Sequence, residues 1–348
     1  IGTGDWSSDV CSSDLDFDTA ALDLTGAAHG ARLRGGMPIA LNLFLLTTLA
    51  MVAFAANSVL GRMGLVDTEI GAGSFALIRL GSGALVLAAI CLLQSKKISG
   101  SLGGGVSLLI YAGFFSYAYI ALPAGMGAII LFAMVQITML SWGLMRGETL
   151  TGLQWGGFLI AITALIWLVS PSLETPPLWA AAMMALAGVG WGAYSLIGRS
   201  AQDATTATTG NFVIASALAA PLLAATLFIS PEPLPPLDGI GLAVLSGAVT
   251  SGLGYVIWYR ALVGLTATRA GIAQLSVPAI AAIGGVLFLS EPITLRFALA
   301  TTAILGGVAL AVLTAAPRSI KAADTQQLRP LQTNLPRTHF CSWSSRSS

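Results

Sequence analysis

Ten apolar stretches, each about the length of a lipid bilayer, fill most of the chain between residues 38 and 315. A helix rising 1.5 Å per residue needs about 20 mostly apolar residues to cross the hydrocarbon core. The stretches run over residues 38–61, 72–93, 106–122, 125–144, 152–169, 178–197, 208–229, 239–259, 269–289 and 293–315. Turn chemistry separates them: Lys96-Lys97-Ile98-Ser99-Gly100, Ser170-Pro171-Ser172, Ser230-Pro231-Glu232-Pro233 and Glu291-Pro292. Proline cannot continue a helix and restricts the residue before it. The stretches are continuous and rich in Leu, Ala, Ile and Gly, whereas a barrel strand would alternate and be shorter. An all-α membrane protein of ten transmembrane helices is therefore the expected fold class.

Composition agrees. Charged residues make up 9% of the 348, hydrophobic ones 55%, and mean hydropathy is +0.84. Soluble domains carry about 25% charge, so lipid is the solvent this chain suits. The net charge of +1 provides no basic field for nucleic acid. Cys11, Cys91 and Cys341 have no redox or metal spacing, and Cys91 reads as a small core residue.

The two ends differ from the rest. Asp5–Leu15, reading DWSSDVCSSDL, resembles one translated frame of a sequencing-library adapter, so residues 1–36 are expected to be a non-native or disordered leader. Met37 is the candidate native start. Residues 318–348 lack a hydrophobic face and are expected to form a disordered or frame-shifted tail.

Lysine and arginine set the orientation. With the N-terminus inside, the inner loops hold Arg32, Arg34, Lys96, Lys97, Arg146, Arg199, Arg260, Arg269, Arg318 and Lys321. The outer loops hold Arg62 and Arg296, with Asp67, Glu69, Glu174, Glu232 and Asp238. This pattern places both termini in the cytoplasm.

The chain also repeats itself. LAMVAFAANSVLGR at Leu49–Arg62 matches LAGVGWGAYSLIGR at Leu186–Arg199 without a gap. At the same offset, Gly73 pairs with Gly210 and Phe75 with Phe212. Further on, Tyr119–Leu122 matches Tyr259–Leu262, and Gly147–Thr151 matches Ser290–Thr294. Matches in the same order point to duplication, with a first five-helix half over 37–171 and a second over 172–317. Five is odd, so the second copy enters the membrane from the other side. Two inverted five-helix repeats are an architecture of many secondary transporters.

The ordered set of motifs resembles the drug/metabolite transporter superfamily, and within it the EamA-type ten-helix transporters. It comprises Asn57-Ser58-Val59-Leu60-Gly61-Arg62, Phe75 with Ile78-Arg79-Leu80, Gly147-Glu148-Thr149-Leu150-Thr151, and Leu287–Thr294. The resemblance covers about 38–316 and implies export or exchange of amino acids, other metabolites or drugs without nucleotide hydrolysis. One departure is Pro278 in the ninth stretch, because its counterpart at 131–141 has no proline.

Arg79 is the outlier within the spans, about eight residues and roughly 12 Å from the outer end. A central arginine costs about 2.5–3.5 kcal/mol on insertion scales, so it faces a cavity or a partner. It reads either as counter-charge for a substrate anion or as a snorkelling or helix-tying residue. Its repeat counterpart is Ser216, so the charge is not duplicated. Gln136 and Gln274 occupy corresponding helices, as do Asn57 and Tyr194; each reads as a ligand donor or as an interhelical hydrogen bond. Aromatics gather at Tyr111, Phe114, Phe115, Tyr117 and Tyr119, at Trp191 and Tyr194, and at Tyr255, Trp258 and Tyr259. Tyr117 and Trp191 are the better cavity candidates, because their polar tips need partners. Glu148 and Glu291 read first as helix-end caps and secondly as gating groups. Pro278 is expected mid-span, as a kink or helix break. Gly188 with Gly192, and Gly152 with Gly156, have the spacing of close helix packing.

There is no deep carboxylate for proton coupling, no GxxxxGK[ST] loop and no HExxH. The histidines, His29 and His339, lie in the atypical ends. No catalytic residues, metal or cofactor are expected. The expected activity is secondary transport of a small polar metabolite such as an amino acid by alternating access, in the cytoplasmic (inner) membrane. The partners are a small-molecule substrate and the lipid bilayer, and a homodimer stays open. A multidrug efflux carrier and a non-transporting receptor or scaffold are the alternatives.

Overall fold

Apolar segments that cannot hydrogen-bond to lipid satisfy their backbone internally, and in the computed structural model the described residues form helices and no strand. The structure describes residues 39–313 except 148, 171–175, 199–200, 202, 230, 263, 266–269 and 271–272. Glu148, Arg199, Arg269 and both atypical ends therefore lie outside the described residues. The chain divides into two units, Ile1–Leu45 and Leu46–Ser348. In the first, the described part is the beginning of a helix, α1; the packing and the site described below concern the second.

The helices are α1 (Ile39–Asp67), α2 (Ala72–Leu93), α3 (Leu102–Tyr119), α4 (Ala124–Met145), α5 (Gly152–Val169), α6 (Leu178–Gly198), α7 (Ala204–Ile229), α8 (Leu237–Leu262), α9 (Ser276–Leu289) and α10 (Leu295–Leu313). Among the described residues, α1 to α8 are long and apolar enough to cross a membrane. Leu85, Leu92, Leu287 and Phe288 are exposed, as lipid-facing side chains are.

In the ninth stretch a turn at Leu275 interrupts the helical residues and α9 begins at Ser276, so Pro278 stands in the first turn after this break, in the third helical position. Proline is tolerated there because the first-turn amides have no intrahelical acceptor. In α4, which has no proline, the helix is continuous.

Helix α2 packs on α7, α4 on α9 and α5 on α10, while α6 lies against both α3 and α4. Small residues permit this. A Cβ on Gly188 would meet Leu131 O of α4, and one on Gly190 would meet Tyr111 N of α3. Gly152 and Gly156 face open space; it is Gly157 that crosses Gly307 backbone to backbone.

Several helix ends are capped. Thr151 and Gln154 form a reciprocal capping box on α5. Two carboxylates act from far away in sequence. Glu232 accepts from Gly73 N (2.9 Å), Ser74 N (3.0 Å) and Ser74 Oγ (2.7 Å) at the start of α2. Glu291 accepts from Ala124 N at the start of α4 (2.8 Å) and from Arg62 Nε (3.2 Å). Arg62 also donates to the carbonyls of Tyr119 and Ile120, which close α3.

Candidate functional site

The centre of the larger unit is an aromatic box. Phe54 lies edge-on to Trp191, Tyr255 and Trp258, with centroids 5.8–5.9 Å apart. Trp191 is 5.1 Å from Tyr111 and 4.8 Å from Tyr255. Inside is a cavity of about 20 Å³, lined by Phe54, Asn57, Ser58, Tyr111, Phe115, Leu131, Phe132, Trp191 and Tyr255. That is room for about one water molecule, so a metabolite enters only if the helices part.

A polar network lies along one wall. Arg79, 1% exposed, donates from Nη2 to Tyr111 Oη at 2.7 Å. Its Nε and Nη2 are each 3.4 Å from Ser251 Oγ. The guanidinium sits over the rings of Phe115 (4.4 Å) and Tyr111 (4.9 Å), a favourable placement when desolvated. Asn57 Nδ2 donates to Tyr111 Oη at 3.0 Å, while Asn57 Oδ1 accepts from Ser246 Oγ (2.7 Å) and Thr250 Oγ1 (3.2 Å).

Those hydroxyls come from a π-helical segment of α8, Leu245–Leu253. A π turn takes more residues per turn than an α turn, and such segments recur at functional sites. Here it places Ser246, Thr250 and Ser251 together beside Asn57. Gly247 brings this segment against the carbonyl of Arg79, which fixes the depth of the cation.

Three buried polar atoms at this centre have no hydrogen-bond partner: Arg79 Nη1, Trp191 Nε1 and Tyr255 Oη. Buried polar groups are normally paired, and each exception calls for an explanation.

The sequence candidates thus separate. Asn57, Trp191 and Tyr255 line the cavity, and Arg79 stands behind Tyr111 and Phe115 rather than on its surface. Tyr194 is one layer out, stacked on Trp191 (5.5 Å) and donating to Thr208. Tyr117, preferred on its polar tip, instead comes close to Gly73, beside the Glu232 cap. Gln136 and Gln274 are half-buried and do not line the cavity. Glu291 borders a separate cavity of about 230 Å³ with Pro123, Met126 and Phe297. Among the described residues, no three His, Cys, Asp or Glu side chains gather to hold a metal.

Sequence reasoning missed Ser246, Thr250 and Ser251. Their spacing of four and five within a glycine-flanked stretch was the available signal, and it is legible only to a π period.

Comparison with known proteins places this architecture. Residues 178–313 match the EamA-like transporter family. The uncharacterised protein PA1977 of Pseudomonas aeruginosa is 48% identical over 284 residues, covering 80% of this chain and 96% of that one. The chain belongs to the EamA-like transporter family. An uncharacterised transporter of Archaeoglobus fulgidus is 26% identical over 216 residues, 60% of this chain and 74% of that one. A solved crystal structure shares the fold with a TM-score of 0.55 at 18% identity, covering 77% of this chain and 99% of the other. Family and helices together make this EamA-family chain a multi-pass membrane protein of the transporter class.

Proposed function

We propose that the chain is a secondary transporter carrying a small polar metabolite across the cytoplasmic membrane by alternating access, with its site in the aromatic box. In this reading ten helices form two inverted halves, 37–171 and 172–317, and both termini are cytoplasmic. The lysine and arginine distribution supports that orientation.

One observation carries the proposal: residues equivalent in the repeat meet at the cavity. Phe54 and Trp191 are equivalent, and their rings are 5.9 Å apart. Phe115 and Tyr255 are equivalent in the register set by Tyr119 and Tyr259, and both line the cavity. The pairings of α2 with α7, α4 with α9 and α5 with α10 likewise join equivalent helices. A pseudo-two-fold axis through the cavity accounts for all of these. Such an axis allows the two halves to exchange conformations around a fixed site. Unpaired donors in the box support a polar cargo over a lipophilic drug.

Reconstitution tests this. The full chain in proteoliposomes should give saturable, substrate-selective flux of at least one compound in a labelled panel of amino acids and organic acids. Imposed pH and sodium gradients then identify the coupling ion. Absence of flux for the whole panel from correctly inserted protein would overturn the reading in favour of a receptor or scaffold.

A further inference from the structure

The charge and the unpaired nitrogen atoms around the cavity have one sign: Arg79 Nη1 and Trp191 Nε1 are buried donors without a partner. Tyr111 Oη already accepts from Arg79 (2.7 Å) and Asn57 (3.0 Å). With those contacts its oxygen is saturated as an acceptor, and the O–H is what remains to give. Trp191 Nε1 is donor-only and buried without a partner, while Tyr255 Oη, close to the Tyr111 hydroxyl, can both donate and accept. The amide oxygen on the wall, Asn57 Oδ1, is engaged by Ser246 at 2.7 Å, with Thr250 sharing its proton between it and the Ser246 carbonyl. An unpaired Trp191 N–H therefore faces the cavity, beside the hydroxyls of Ser58, Tyr111 and Tyr255, each of which carries an O–H. Behind Tyr111 lies the Arg79 guanidinium, 1% exposed, with Nη1 unpaired. Among the described residues no Asp or Glu forms an ion pair with it.

Resting on the transport reading above, we propose that the cargo is a net-anionic carboxylate, an organic acid rather than a zwitterionic amino acid or a cation. Its carboxylate is held directly by Tyr111, Trp191 and Tyr255. Arg79 is a positioning residue: it occupies an acceptor site of Tyr111, turns that hydroxyl into a donor and supplies the counter-charge from behind. An ammonium group is disfavoured because it would share a low-dielectric site with a buried cation. Ring faces attract ammonium groups, and those of Tyr111 and Phe115 already carry Arg79 at 4.9 and 4.4 Å. Phe54, Leu131 and Phe132 are left to meet an apolar body.

The test uses the full chain in lipid nanodiscs and one carbon skeleton in three charge states: 3-phenylpropionate, phenylalanine and phenethylamine. The readout is the part of the tryptophan fluorescence change that disappears in Trp191→Phe. The anion should give a saturable signal, with the zwitterion and amine weaker by about tenfold or more. Tyr255→Phe removes one hydroxyl and keeps the ring, so it should leave the fold intact and weaken the anion about tenfold. Arg79→Gln should bring anion and zwitterion affinities close together, a selectivity change that a purely structural role would not produce. Equal or tighter binding of phenylalanine or phenethylamine, with the signal still dependent on Trp191, would overturn the anion assignment and leave the site reading standing. Unchanged anion affinity in Tyr255→Phe by fluorescence, and in Trp191→Phe by equilibrium dialysis of labelled 3-phenylpropionate, would remove the site itself. No saturable binding of the anion would also overturn the proposal.

Discussion

Arg62 Nε and Glu291 Oε1 lie 3.2 Å apart although 229 residues separate them in sequence. The pair ties α1 and the α9–α10 connection to the end of α3 and the start of α4, because each partner also bonds those helix termini. Both side chains are mostly buried, 17% and 13% exposed, so the pair is worth more than a surface bridge and less than a fully desolvated one. A double-mutant cycle of Arg62→Ala and Glu291→Ala should give a coupling of about 1–3 kcal/mol in thermal unfolding. Coupling near zero would show that the two act independently. If this end opens during transport, Glu291→Gln should also speed labelling of a Ser58→Cys reporter by an impermeant thiol reagent.

Glu232 does for α2 what Glu291 does for α4. Its carboxylate reaches two first-turn amides and the Ser74 hydroxyl, where helix-end amides are unpaired and the helix dipole favours negative charge. Glu232→Ala should cost about 1–2 kcal/mol. Gly71→Ala should cost at least as much, since its Cβ would run into that carboxylate. Thermal unfolding of purified protein checks both, with Glu232→Gln expected between wild type and Ala.

The eight long apolar helices were legible because hydropathy is local in sequence. Glu291 was legible as a helix cap, but not that it caps α4, 167 residues away. Asn57, Trp191 and Tyr255 were legible as polar or aromatic tips within apolar helices, which need partners. Tyr117 satisfied the same criterion and still lies elsewhere, because which face of α3 meets α6 depends on where Gly190 lets the backbones touch. Likewise Arg79 could be read as buried, but not as standing behind Tyr111. That depends on the π segment of α8, whose period differs from the one used to read helices. Pro278 was visible, yet its position in α9 followed from the turn at Leu275.

The crossing of α5 and α10 separates two adjacent glycines. A Cβ on Gly157 would meet the Gly307 carbonyl, whereas Gly156 faces open space. Gly157→Ala should therefore destabilise by about 1–3 kcal/mol through forced separation of the helices. Gly156→Ala should be neutral or stabilising by up to about 1 kcal/mol, because alanine is the better helix former. Equal effects at both positions, measured by thermal unfolding, would contradict this packing.

Lys96 Nζ sits 2.7 Å from Asp203 Oδ2. This hydrogen bond from Lys96 is the main reason that the Asp203 carboxyl titrates below its ordinary value, with the Thr205 and Thr206 amides helping. A lowered folded-state pKa means the stabilisation is present above the unfolded pKa of about 3.9 and is lost as pH falls through the folded value. Both groups are more than a third exposed, so the contribution stays under about 1 kcal/mol and weakens with salt. The unfolding temperature of Asp203→Asn relative to wild type should thus show a small deficit at pH 6 that shrinks toward pH 3.

Arg79 presents the sharpest substitution test. Its fork reaches Tyr111 and Ser251 while its plane covers two rings. Lysine keeps the charge but not the planar fork, so it cannot stack and bridge in the same way. Methionine fills much of the volume with no charge and leaves the apolar environment undisturbed. Under the transport proposal, both Arg79→Lys and Arg79→Met should insert and remain folded, and both should lose about tenfold or more of the flux in proteoliposomes. Arg79→Met should unfold no earlier than wild type, since replacing a buried charge that has no ion-pair partner is not destabilising in itself. Retained flux in Arg79→Met would mean that the guanidinium only ties α2 to α3 and α8, and the counter-charge role would fall.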